Sequence, residues 1–238
     1  RSRLCLCMCW KYRRRELVDS LNRLNPKVIF VTDPMCSWCW GMADSIKEIH
    51  EKYKDKIELD LMLGGTNTDS TDFVGDYGKR FLLHLWQEIH ETTGKEFGFK
   101  LPQLYVHNSL LPCLAIELLK LEDLDKAFDL LYELQSLFFV KGLNINDMSL
   151  LLEVVANYGV TREKGALELS KSKLEERVRF QFENSRSFGT NVLPNILFDD
   201  GKRYRLLLGG YADFEVIENT LLELNERGNY WPKAIHIG

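Results

Sequence analysis

From residue 27 onward, the spacing of apolar positions changes character twice. Val28-Ile29-Phe30-Val31 is a β-branched and aromatic run that predicts a buried strand. Ile46, Ile49 and Tyr53 recur at helical spacing, and Ile57-Glu58-Leu59-Asp60-Leu61-Met62-Leu63 alternates with period two until Gly64-Gly65. A strand, a helix and a strand of these lengths predict a βαβ unit with parallel strands and a right-handed crossover. Between about residues 66 and 168 the pattern becomes helix after helix. Phe81, Leu82, Leu85, Trp86 and Ile89 make one amphipathic face. Leu114, Ile116, Leu118 and Leu119 follow Pro112 in another segment. Leu124, Phe128, Leu131, Leu134, Leu137 and Phe138 form the longest stripe. Met148 to Tyr158 ends at Gly159, and Thr161 is placed to cap the next helix. These stripes are read as core, and His84 and His90 as surface or boundary residues.

The short period then returns. Leu174 to Phe188 reads as a helix closed by Gly189. Asn195-Ile196-Leu197-Phe198 and Tyr204-Arg205-Leu206-Leu207-Leu208 flank Asp200-Gly201, the strongest hairpin signal in the chain. Gly209-Gly210 breaks the second of these strands, and Phe214, Ile217 and Leu221 mark a final helix from about 213 to 225. At the other end, Leu17, Leu21 and Leu24 have helical spacing, ended by Asn25-Pro26. The expected division is an N-terminal extension with a short helix (1–26), a βαβ half (27–65), a helical insertion (66–173), an αββα half (174–230) and a tail (231–238).

The 238 residues, 45% hydrophobic and 28% charged, describe an ordinary globular chain large enough to bury a core. Charge changes the picture at one place. Arg1, Arg3, Lys11, Arg13, Arg14 and Arg15 crowd the first 15 residues, leaving 25 basic and 35 acidic side chains for the rest of the chain. That balance argues against a nucleic-acid partner for the folded body. No run reaches the roughly 18 apolar residues of a membrane span. The arginines followed by Leu4 to Trp10 resemble part of a signal peptide, but the apolar stretch is short and a basic cluster follows it. The expected setting is therefore cytoplasmic. Cys5, Cys7 and Cys9 in this stretch could bind a soft metal or carry lipid; the plainer reading is a disordered extension or an added tail.

The remaining cysteines carry the chemistry. Cys36 and Cys39 stand two residues apart where the first strand hands over to its helix. There, unpaired backbone N–H groups and the positive end of the helix dipole favour a thiolate at the first cysteine, and a thiolate attacks disulfides. The same spacing suits half of a zinc site. The second half is missing: Cys113 is alone, and His50, His84, His90, His107 and His236 lack ligand spacing. Redox chemistry is the stronger reading, with no metal and no cofactor expected.

Asp33-Pro34-Met35-Cys36-Ser37-Trp38-Cys39-Trp40-Gly41, Asn108-Ser109 at the start of an insertion helix, and Gly189-Thr190-Asn191-Val192-Leu193-Pro194 together resemble the DsbA-like family. Within it they look most like the FrnE-like branch of predicted protein-disulfide isomerases. The resemblance covers roughly residues 27–228. It implies an α/β thioredoxin fold with a large all-helical insertion, and a thiol–disulfide oxidoreductase or isomerase. By the resemblance Cys36 is the nucleophile and Cys39 the resolving thiol. Pro194 matches the family's cis-proline, and Leu193 before it would offer its backbone to a peptide. Trp38, Leu193 and Pro194 are the expected substrate contacts. The implied partners are protein or peptide thiols and disulfides, with glutathione as a further candidate.

Two departures stand out. Thioredoxins carry a buried acid six positions before the first cysteine, where this chain has Phe30. Asp33 is nearer, but reads as exposed in the loop. The residue after the cis-proline is Asn195 where Thr is frequent, a tolerated variation. The same fold also hosts kappa-class glutathione transferases and hydroxychromene carboxylate isomerases, which usually have Ser in place of Cys36 and lack the resolving thiol. A non-catalytic peptide- or metal-binding module is the remaining alternative.

Overall fold

The computed structural model describes residues 26–188 and 192–231. Four strands form one mixed sheet in the order β2-β1-β3-β4: β1 (Lys27–Thr32), β2 (Glu58–Leu63), β3 (Asn195–Asp199) and β4 (Tyr204–Gly209). β1 pairs parallel with β2 and antiparallel with β3, and β3 pairs antiparallel with β4. The parallel pair encloses α1 (Ser37–Tyr53), the crossover expected of the first half. The antiparallel pair closes at Gly201, whose φ of +79° suits a tight turn and no β-branched residue.

β1 is central, which explains its continuous apolar run where β2 alternates exposed and buried positions. One sheet face packs on α1 and on α8 (Phe214–Gly228) through Val28, Phe30, Met42, Ile46, Ile49, Ile196, Phe198, Ile217 and Leu221. Phe30 is fully buried in that core, a contribution of about 1.5–3 kcal/mol for a side chain of its size. Phe30 therefore serves as packing in the core.

The insertion contains α2 (Asp76–Thr93), α3 (Leu110–Lys120), α4 (Leu124–Phe139), α5 (Met148–Ala156) and α6 (Arg162–Leu169); α7 (Ser172–Ser187) leads back to the sheet. Thr161 caps α6 by accepting from the Lys164 N–H, and Asp147 caps α5 through the Leu150 N–H. The stripe of α4 is buried from Leu130 through Phe139 around Trp86, Ile89 and Phe97. That cluster also takes in Met35, Trp40, Leu61 and Leu63. Insertion and frame thus share a core at the end of β1 and α1 that carries the cysteines.

The structure corrects the reading of α2. Phe81 is 59% exposed and lies outside the core. It sits roughly 140° around the helix from Trp86, so it falls beyond the face that Trp86 and Ile89 bury. The helix expected at 16–24 and the Cys5-x-Cys7-x-Cys9 array lie outside the described residues. No helix of the described residues is long and apolar enough to cross a membrane.

Candidate active site

The chain leaves β1 at Thr32 and turns through Asp33-Pro34-Met35 before α1 begins at Ser37. The Asp33 side chain makes this turn by accepting the Met35 N–H at 2.8 Å, while its carbonyl accepts the Cys36 N–H. Cys36 is the N-cap of α1, and its sulfur takes the place of a capping oxygen: the Cys39 N–H points at it from 3.4 Å. An N–H aimed at the sulfur, with the end of the helix behind it, stabilises negative charge there. The described cysteines are all free thiols: Cys36 is half-buried, while Cys39 and Cys113 are fully buried.

The two thiols face different surroundings. Cys36 opens on a groove of about 870 Å³ shared with Trp38, Leu82, Leu85, His107, Arg186 and Leu193. Its thiol approaches the Leu193 carbonyl at 3.9 Å, and the Leu193–Pro194 peptide bond is cis. Trp38 stands in the groove wall and tilts against Tyr211 at 5.8 Å between ring centroids. Pro194 is buried beneath this edge, its carbonyl accepting the Gly210 N–H. Leu193 reaches Cys36 because Gly64 has no side chain: a Cβ there would meet the Leu193 side chain at 2.4 Å. The sequence marked Gly64 only as a strand stop.

Cys39 is sealed beneath. Burial pushes its thiol well up from the ordinary value, and the hydrogen bond and charge of Cys36 and the charge of Asp33 act in the same direction. A hydrogen bond from Thr32 opposes them. The structure overturns the reading of Asp33 as exposed, since its exposure is 0%. The reason is the insertion, which folds over the turn. Asp33 Oδ2 accepts from the Thr66 N–H at 2.9 Å, the Ser109 hydroxyl at 2.6 Å and the Cys113 thiol at 3.7 Å. Its carbonyl also accepts from Gln135 Nε2 at 3.2 Å. With the Met35 N–H on Oδ1, four donors around one carboxylate make a closed polar floor. Ser109, the predicted start of an insertion helix, is the N-cap residue of α3, yet its hydroxyl serves Asp33 instead of the helix.

The insertion grips the first turns of α1 as well. Trp86 Nε1 donates to Ser37 Oγ at 3.0 Å, and Trp40 Nε1 donates to the Glu96 carbonyl at 2.8 Å. Lys95 places its ammonium 3.8 Å from the Trp40 ring centroid and 2.5 Å from Asp44 Oδ1; burial pushes its pKa down against the pull of Asp44. His107, under the same turn, keeps a buried Nδ1 with no hydrogen-bond partner, and burial lowers its pKa against the charge of Asp33. The sequence offered no ligand role for His107, and among the described residues no group of acidic, histidine or cysteine side chains is placed to hold a metal ion.

Residues 29–219 match the family model described as Thioredoxin. The ClpXP adapter protein SpxH of Bacillus subtilis is 21% identical over 208 residues, covering 83% of this chain and 67% of SpxH. Among solved structures, a candidate protein disulfide isomerase from Nitrosomonas europaea superposes with a TM-score of 0.78 at 23% identity, covering 86% of this chain and 99% of that one. The cytosolic disulfide reductase DsbM from Pseudomonas aeruginosa gives 0.69 at 22% identity, covering 84% and 98%. DsbM with GSH gives 0.68 at 24%, covering 84% and 99%. A mixed four-stranded sheet and an all-helical insertion make a DsbA-like fold, and the chain belongs to the thioredoxin family.

Proposed function

We propose that this protein is a thiol–disulfide oxidoreductase in which Cys36 attacks and Cys39 resolves. The observation that carries this reading is the asymmetry of the pair: one half-buried sulfur, capped by an N–H at the mouth of a groove, above one sealed thiol. The Cys36 thiolate attacks a substrate disulfide, forms a mixed disulfide and releases one substrate thiolate. Cys39 then attacks Cys36 Sγ, closes the Cys36–Cys39 bond and releases the second thiolate. Run backwards, the same steps oxidise a dithiol.

The groove would receive the substrate between Trp38 and Leu193, with Pro194 holding the Leu193 backbone in place. Protein or peptide thiols and disulfides are the proposed substrates. Glutathione is the proposed small-thiol partner, in line with the structure of DsbM with GSH. A cytoplasmic setting goes with this reading, since DsbM is described as cytosolic. Cys39 weighs against the transferase and isomerase alternatives, which have no use for a second thiol under the first.

The experiment separates the two sulfurs. Cys36→Ser abolishes reduction of a reporter disulfide, whereas Cys39→Ser accumulates a mixed disulfide on Cys36, visible by mass spectrometry. Near-normal turnover by folded Cys36→Ser would remove the proposal.

A further inference from the structure

Resolution requires Cys39 to give up a proton, and this thiol has 0% exposure. Its groove side is then covered by the bond between Cys36 and substrate. Phe30 accepts no proton, and the Asp33 carboxylate is already held by Met35, Thr66, Ser109 and Cys113. The proton needs another way out.

A separate cleft, sharing no lining residue with the groove, reaches Cys39. This narrow cleft of about 40 Å³ follows the seam between α1 and α4. Cys39, Ala43, Ile46, Lys47 and His50 line it along one face of α1, at spacings of a single helical stripe. Leu131, Tyr132 and Gln135 of α4 face them, and Thr32 lines the cleft from the end of β1. The charged groups at the seam are Lys47, Glu51 and Asp129, all exposed, and His50, whose Nε2 lies 3.2 Å from Asp125. Asp33 and Cys36 are the charged or ionisable groups that act on Cys39 itself.

The dimensions fit a short file of water. At about 10–15 Å³ per water, the cleft holds roughly three. Eight residues of helix from Cys39 to Lys47 rise about 12 Å, which roughly three waters at hydrogen-bonding distance bridge. The head of the file is polar, with the Thr32 hydroxyl hydrogen-bonded to the sulfur and Gln135 lining the same end of the cleft, its Nε2 on the Asp33 carbonyl.

We infer that the α1–α4 seam is the proton exit of Cys39, with Thr32 as the residue that positions the departing charge. This deepens the exchange reading of the same site and rests on it. In the resolving step Cys39 Sγ–H passes its proton to water at the head of the seam, and water carries it to solvent beside Lys47 and Glu51. The Cys39 electron pair forms the bond to Cys36 Sγ. The bond between Cys36 and substrate breaks, and the substrate thiolate takes a proton from solvent in the groove.

The test uses 5,5′-dithiobis(2-nitrobenzoate) on the reduced full chain, with Cys5, Cys7, Cys9 and the buried Cys113 changed to Ser so that only the active pair reports. Release of the first thionitrobenzoate reads attack by Cys36, and release of the second reads resolution by Cys39. Thr32→Val is expected to slow the second release about tenfold or more and leave the first within about twofold, while Thr32→Ser restores it. Ala43→Leu, which fills the seam and removes no group that hydrogen-bonds either sulfur, is expected to slow the same phase. An unchanged second phase in folded Thr32→Val and Ala43→Leu overturns the inference. Should neither fold, the reference protein still decides: the second phase must slow in D₂O more than the first, and equal slowing overturns the seam. A reference protein that never releases the second thionitrobenzoate fails the exchange function itself, a different result.

Discussion

On its sheet side, α1 presents Met42, Ile46 and Ile49 to β1, β3 and α8 in an apolar core, and polar contacts to α8 enter at its last turn, where Tyr53 and Lys52 meet Glu218. On its insertion side, the first turns of the same helix meet hydrogen-bonding groups and a charge: Trp86 donating to Ser37, the Glu96 carbonyl accepting from Trp40, and Lys95 over the Trp40 ring. Area explains the first side, because burying aliphatic surface stabilises without demanding an orientation. The second side demands one. A buried donor left unmatched costs about 1–3 kcal/mol, so each polar contact there fixes a geometry as well as a separation. The frame brings two cysteines to the end of a helix, and the insertion holds the turn that aims them.

The most severe way to break this division is Asp33→Ala. The substitution orphans the buried Met35 N–H and takes the charged acceptor from the Thr66 N–H, the Ser109 hydroxyl and the Cys113 thiol, leaving Thr66 and Ser109 only the bonds they make to each other. A loss of about 3–5 kcal/mol is expected in urea unfolding, a large part of a domain's usual stability. Asp33→Asn, which keeps one of the two acceptor oxygens, should lose less. A loss under about 1 kcal/mol for the alanine variant would show that the floor beneath the cysteines is not held by this carboxylate.

Asp33 also marks where sequence reasoning stopped. The strands, the hairpin and the long stripe of α4 were legible because each is a local pattern of apolar residues, and the Cys-x-x-Cys was legible as spacing. Burial of Asp33 depends on Ser109, 76 residues on, and Gln135, 102 residues on. No local period records such a pairing. The same holds for Lys95, a lysine that alone reads as solvated, and for Gly64, whose importance appears only with Leu193 against it. Phe81 failed in the opposite sense, since an apolar residue near a helical stripe reads as core whichever way the neighbouring helices leave it. Asp33-Pro34 directly before the cysteines was the one available hint of a turn held by a carboxylate.

A smaller effect sharpens the contrast at one contact. Ser37→Ala removes the acceptor of the buried Trp86 Nε1 and should cost about 1–2 kcal/mol. On the sheet side, Ile46→Ala should cost about 2–5 kcal/mol through its cavity. The informative readout is the rate of attack by Cys36. It should change in Ser37→Ala, whose contact fixes the first turn of α1, and stay near normal in folded Ile46→Ala. The reverse ranking of the two attack rates would assign the aiming of Cys36 to the sheet.

The smallest effect concerns Tyr132, which joins the two sides of this comparison at the seam. Its hydroxyl donates to Asp44 at 3.2 Å and receives Lys95 Nζ at 3.2 Å. Burial first, then the charge of Asp44, its hydrogen bond to Asp44 and the charge of Glu96, push the phenol up to about 12. The folded value therefore lies above the value of about 10 in the unfolded chain. Between those values the unfolded chain loses the proton while the fold keeps it, so stability present below pH 10 is lost as pH rises toward 12. Lys95 acts with the other sign, because burial lowers its pKa; it adds stability as pH climbs toward its ordinary 10.5 and no more beyond. Tyr132→Phe isolates the tyrosine, since Tyr53, Tyr105 and Tyr158, all raised as well, remain in both proteins. At pH 9 the variant should be less stable by about 0.5–1.5 kcal/mol, the net worth of a hydrogen bond. At about pH 11 the deficit should shrink, because the unfolded parent ionises Tyr132 and the variant has nothing to ionise. Urea midpoints at the two pH values read the difference, and an equal deficit at both would leave Tyr132 without the environment that the Asp44–Lys95 pair gives it.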